Sequence, residues 1–160
     1  MVLGITVFLA DSSAFGLENS DRWRILTQNV IEAQCVQGDG ECYINFVAED
    51  EISELNRQYM DKLGSTDVLS FPVSWDVEIV GDLPRILGEI FLCPAVAKRN
   101  AFMNKGSMHR GTLDDELALL VVHGVLHLAG MDHVIDEEAM TMESLELEML
   151  SKYYYDVQDI

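Results

Sequence analysis

The spacing of hydrophobic positions changes along the chain, and the changes mark its elements. Residues 5–9 are an apolar run that reads as a strand. After Ser20, the positions of Trp23, Leu26, Val30 and Ile31 predict a helix to about Gln37, ended by Gly38-Asp39-Gly40. From 41 to 47, Cys42, Ile44 and Phe46 alternate with Tyr43, Asn45 and Val47, the period of a strand. Ile52, Leu55 and Tyr59 share one side of a helix over about 50–60. A short apolar strand at 68–71 is stopped by Pro72, residues 74–84 read as a loop or hairpin excursion, and 87–92 form another strand. Pro94 suits the first turn of a helix running to about Asn104. Residues 116–128 are apolar and free of proline, which predicts a mostly buried helix. The last helix spans 136 to about 154, where Met140, Met142, Leu145, Met149 and Leu150 read as core packing. The order βαβαββααα predicts an α+β fold: a small four-stranded mixed sheet with about five helices, in a single domain over 1–160.

The buried helix carries unusual chemistry. Three of the four histidines, His123, His127 and His133, fall within eleven residues. Thr112 suits an N-cap, and Asp114 and Asp115 suit the positive end of the helix dipole. His123 and His127 are four apart, so they share a face one turn apart. Gly130 predicts a left-handed cap, after which the chain can bring His133 back to the same point. Three imidazoles with an open fourth position are the donor set of a catalytic zinc, on a helix and the turn after it. Asp132 beside the turn reads as its cap. Gly124 stands where a zinc peptidase carries its glutamate base.

Composition adds a polarity. The 160 residues carry a net charge of −18, which by itself argues against nucleic acid. Yet the 24 residues from 90 to 113 hold no Asp or Glu, and they include Lys98, Arg99, Lys105, His109 and Arg110. From 114 onward there are twelve acids and one base. A basic stretch therefore leads into the histidine helix and can face an anionic ligand. The apolar N-terminal ten residues are too short for a membrane span and lack the basic start of a signal peptide, which points to a cytoplasmic protein with no membrane partner. Cys35, Cys42 and Cys93 form no CxxC pair and read as free buried thiols.

Several segments together resemble the YbeY family, the bacterial rRNA maturation factors described as metal-dependent endoribonucleases. They are Leu55-Asn56 with Tyr59, the segment Thr66-Asp67-Val68-Leu69-Ser70-Phe71-Pro72, Leu87-Gly88-Glu89-Ile90, Cys93-Pro94, Glu116-Leu117, the His123 to His133 stretch with its Gly124, and Met142-Glu143. The resemblance implies one zinc on His123, His127 and His133 as catalytic centre. It implies cleavage of single-stranded RNA at the 3′ end of the small-subunit rRNA precursor, and a part in ribosome quality control. The small ribosomal subunit, one of its proteins and a ribosome-associated GTPase are the partners it implies. Arg57, Lys98, Arg99, Lys105 and Arg110 are candidate phosphate contacts. The chain departs from the family at Met60, where an arginine is usual, and at Ser65, where proline is common; Arg57 lies one turn before Met60 and is the substitute within reach. Two other readings use the same histidines. A zinc peptidase lacks its base at Gly124, and Glu116 is two turns too early to replace it. A non-enzymatic assembly factor would use zinc only to hold the fold, but a structural site normally has four protein ligands.

Overall fold

The computed structural model describes residues 4–10, 12–17, 20–34, 39–73 and 85–158. The expected excursion at 74–84, Cys35 and the expected end of the first helix at 35–38 lie outside these residues. Four strands, β1 (Ile5–Ala10), β2 (Gly40–Phe46), β3 (Val68–Pro72) and β4 (Arg85–Leu92), form one sheet in the order β1-β2-β4-β3. β1 pairs with β2 and β2 with β4 in parallel, while β3 runs antiparallel on the outer edge of β4. The sheet is therefore mixed, as the element order predicts. Parallel neighbours need crossovers, and α1 (Asp21–Ala33) makes the first of them. The other helices are α2 (Glu49–Met60), α3 (Pro94–Ala101), α4 (Leu113–Leu128) and α5 (Asp136–Leu150). α5 runs on through a π-helical turn, Ser151–Tyr155, into a last short turn.

Pro72 does not stop β3 but is its last paired residue, opposite Gly88. An edge strand tolerates a proline because no further neighbour needs its missing N–H.

The alternation in β2 sorts the sheet into two faces. Cys42, Ile44 and Phe46 join Ile90 and Leu92 of β4, Trp23, Leu26 and Val30 of α1, and Leu117, Val121 and Val125 of α4 in the main core. Val47, Ile52, Leu69, Cys93 and Val96 form a smaller core between α2, β3 and the start of α3. Cys42 and Cys93 are free thiols buried in these cores. α4 packs on β3, β4, α1, α3 and α5, so it is buried on most sides.

Gly88 shows how closely α4 meets the sheet. Its φ is +152°, and a Cβ there would lie 2.6 Å from a Leu128 methyl and 2.7 Å from the Phe71 carbonyl oxygen. Leu128 is the last residue of the histidine helix, so the glycine sets how near that helix end can come. Gly88→Ala should cost about 2–5 kcal/mol through backbone strain and overpacking, read as a lower midpoint of urea unfolding. An unchanged midpoint would show that β4 can relax freely there.

Candidate metal centre

The helix start is built as its sequence suggests. The Thr112 hydroxyl accepts the Asp115 N–H at 3.2 Å. At the other end Gly130 has φ +94°, the Gly130 N–H bonds to the His127 carbonyl, and the Met131 N–H reaches back to the Leu126 carbonyl, each at 3.0 Å. That pair of bonds is a Schellman cap. It turns the chain sharply, and Asp132 steadies the turn by accepting the His133 N–H at 2.8 Å. His133 thereby returns to the helix, and one ring nitrogen from each of His123, His127 and His133 lies within 4.8 Å of the others. Asp132 is not part of this group.

The hydrogen bonds decide which nitrogens face inward. His127 Nδ1 lies 2.9 Å from the Met131 carbonyl oxygen, and His123 Nδ1 lies 2.5 Å from Glu146 Oε1. Both oxygens are acceptors, so both Nδ1 atoms carry the hydrogen. The two Nε2 atoms then face each other at 3.0 Å with bare lone pairs. Two lone pairs at that distance repel unless a proton or a cation sits between them. Burial, and then the neighbouring His123, push His127 below the usual imidazole range, which disfavours the proton. Convergent ring nitrogens whose opposite Nδ1 atoms are taken up by oxygen acceptors fit a metal ion, and three imidazoles suit zinc.

The histidines open onto a groove of about 250 Å³, lined by His123, His133, Ala139, Met142, Glu143 and Glu146. One wall is thus a face of α5. Glu146 was not among the residues singled out by sequence. Its signal lay in the row Met142, Glu146, Met149: a carboxylate interrupting an otherwise buried stripe.

Gly124 has an equally local explanation. A Cβ there would stand 3.0 and 3.1 Å from Ile90 and 3.2 Å from Ser70 Oγ. Ser70 Oγ also donates to the Gly124 carbonyl at 3.3 Å. Position 124 therefore faces the sheet. Ser70 and Gly124 meet at this contact between helix and sheet, and Gly88 meets the same helix at Leu128.

The basic window is less open than its composition suggests. Arg110 donates to the buried Asp115 carboxylate from its backbone N–H at 2.7 Å, Nε at 3.0 Å and an Nη at 2.7 Å, and the Tyr154 hydroxyl donates to the same carboxylate at 2.9 Å. Burial pushes Asp115 up, but these bonds outweigh it and hold the carboxyl down at about 2. Arg99 grips Glu49 through two bonds of 2.8 and 2.6 Å, and Arg57 pairs with Glu54 on its own helix. Lys98 and Lys105 are exposed. His109 accepts the Gly111 N–H at Nδ1 and gives its Nε2 proton to the buried Glu116 at 2.9 Å. Asn104 donates to the same carboxylate at 2.9 and 3.0 Å. His109 and Glu116 thus fasten the loop before α4. Met60 is 40% exposed at the end of α2, and Ser65 Oγ donates to Glu49 at 2.9 Å.

Comparison with known proteins follows the same lines. The family model for endoribonuclease YbeY matches residues 12–154. The chain belongs to the YbeY family. The YbeY endoribonuclease of Acidothermus cellulolyticus is 38% identical over 160 residues, covering 95% of this chain and 93% of that protein. That of Pseudomonas putida is 45% identical over 114 residues, 71% of this chain and 68% of its own. The solution structure of TM1509 from Thermotoga maritima aligns with a TM-score of 0.55 at 27% identity, covering 98% of this chain and 95% of that one. YbeY proteins are endoribonucleases, which are hydrolases of the nuclease class, and this membership favours RNA over peptide as the substrate class. Among the described residues no helix is long and apolar enough to cross a membrane.

Proposed function

We propose that this chain is a zinc-dependent, single-strand-specific endoribonuclease acting in the cytoplasm on the 3′ end of the small-subunit rRNA precursor, as one domain over residues 1–160. The observation that carries the reading is the convergence of the His123 and His127 Nε2 atoms, 3.0 Å apart, with His133 beside them, in a chain of the YbeY family. His123, His127 and His133 would hold the ion. Zinc, when bound, supplies Lewis acidity and lowers the pKa of water to about 7, so hydrolysis needs no carboxylate base at position 124. The rest of the work falls to side chains. Glu146 and the Met131 carbonyl fix the ring tautomers. Lys98 and Lys105, both exposed, would meet backbone phosphates, while Arg57, Arg99 and Arg110 would each have to exchange a carboxylate for a phosphate. The small ribosomal subunit, one of its proteins and a ribosome-associated GTPase are the partners this reading expects.

The test is metal removal. Protein loaded with zinc should cut a single-stranded RNA carrying the small-subunit rRNA 3′ end, lose that cutting on chelation, and regain it on reloading. Chelated protein that cuts as fast as loaded protein would sink the metal-dependent reading. If the loaded protein binds zinc and does not cut, the protein is an assembly factor without catalysis.

A further inference from the structure

We propose that Glu146 is a positioning residue of the metal centre: it fixes the His123 ring and makes its inward nitrogen a stronger donor. This rests on the three-histidine reading above and assigns a function to a residue outside the ligand set. Glu146 projects from α5, four residues after Met142, which is 1% exposed, and three before the buried Met149. Its side chain is only 12% exposed. A carboxylate in such a row loses hydration and needs a strong partner. That partner is His123, 23 residues earlier in the chain, with Nδ1 at 2.5 Å from Oε1.

The bond has a direction. An ionised carboxylate only accepts, so His123 must be protonated at Nδ1 and bare at Nε2, the nitrogen aimed at His127. The two helix histidines are then anchored differently. His127 gives its Nδ1 proton to a neutral carbonyl, and His123 gives its own to an anion. The anion draws the proton harder and leaves more electron density on Nε2. It also brings one negative charge next to the place where a dication would sit, without spending a coordination position. A carboxylate behind a metal-bound imidazole has this effect on ligand orientation and basicity, and its loss typically weakens metal binding 10–100-fold.

The experiment measures zinc affinity by competition with a chromophoric chelator, together with the Tm of the metal-free protein. Wild type is compared with Glu146→Ala, Glu146→Gln and Glu148→Ala. Glu148 is exposed on the same helix, so its removal controls for net charge. Glu146→Ala should bind zinc about 10–100-fold more weakly. Glu146→Gln keeps an acceptor oxygen without the charge and should fall between Ala and wild type. Glu148→Ala should match wild type, and the metal-free Tm of Glu146→Ala should not fall. Equal affinity of wild type and both Glu146 variants overturns the assignment and leaves the three-histidine site standing. A lower metal-free Tm with unchanged affinity also overturns it, by making Glu146 merely structural. Wild type that takes up no zinc overturns this assignment and the site together.

Discussion

His123→Ala is expected to bind zinc roughly 10²–10³-fold more weakly and to leave single-stranded RNA uncut, while folding as wild type. The size follows from structural zinc sites, whose four ligands together give about 10–16 kcal/mol, or about 2.5–4 kcal/mol for each. The variant removes one of three donors and also leaves the Glu146 carboxylate without its imidazole partner. The fold should survive because His123 is only half-buried and stands outside the two cores. Circular dichroism and the metal-free Tm would establish that survival, and RNA cleavage with zinc titration would give the rest. If the folded variant cuts RNA at the wild-type rate, the histidines are not the catalytic centre.

Gly124→Glu should destabilise the fold rather than create a peptidase. The position looks like a missing general base only in the linear sequence. In the structure its Cβ direction runs into Ile90 and Ser70, at 3.0 to 3.2 Å. A glutamate there must wedge a side chain between α4 and the sheet, at about 1–3 kcal/mol for overpacking alone. It must also bury a carboxylate against Ile90 and Ser70, neither of them a cation, which adds several kcal/mol more unless the group is protonated. A drop in Tm of roughly 10 °C or more is expected for a domain of this size, with no turnover of casein. A stable variant that hydrolyses casein only when loaded with zinc would reinstate the peptidase reading.

The helix that carries the histidines was readable in detail, because its signals are local. Thr112 caps it, Gly130 ends it in a Schellman turn, and the spacing of four puts His123 over His127. Strand alternation in 41–47 likewise announced which residues of β2 enter the core. Two things could not be read in the same way. Glu146 is one of many acids in its helix, and only its place in a buried row distinguishes it. The basic window was a count along the chain, whereas charges are neutralised across space. Arg99 meets Glu49 from 50 residues away, and Arg110 is consumed by the buried Asp115. A stretch without acids is therefore not the same as a surface without them.

The attachment of α4 to α5 has a consequence for the timing of biosynthesis. Glu146 steadies His123, and Tyr154 helps bury the Asp115 carboxylate at the other end of the histidine helix. Both arrive from residues made after α4. A nascent chain that has just completed residues 113–133 holds all three histidines, but neither brace. Since chains are made from the N-terminus at about 5–20 residues per second, there is an interval in which the three histidines exist without these braces. The histidine cluster has both braces only when α5 has docked, so any metal it takes up with both braces in place would be taken up after that packing step.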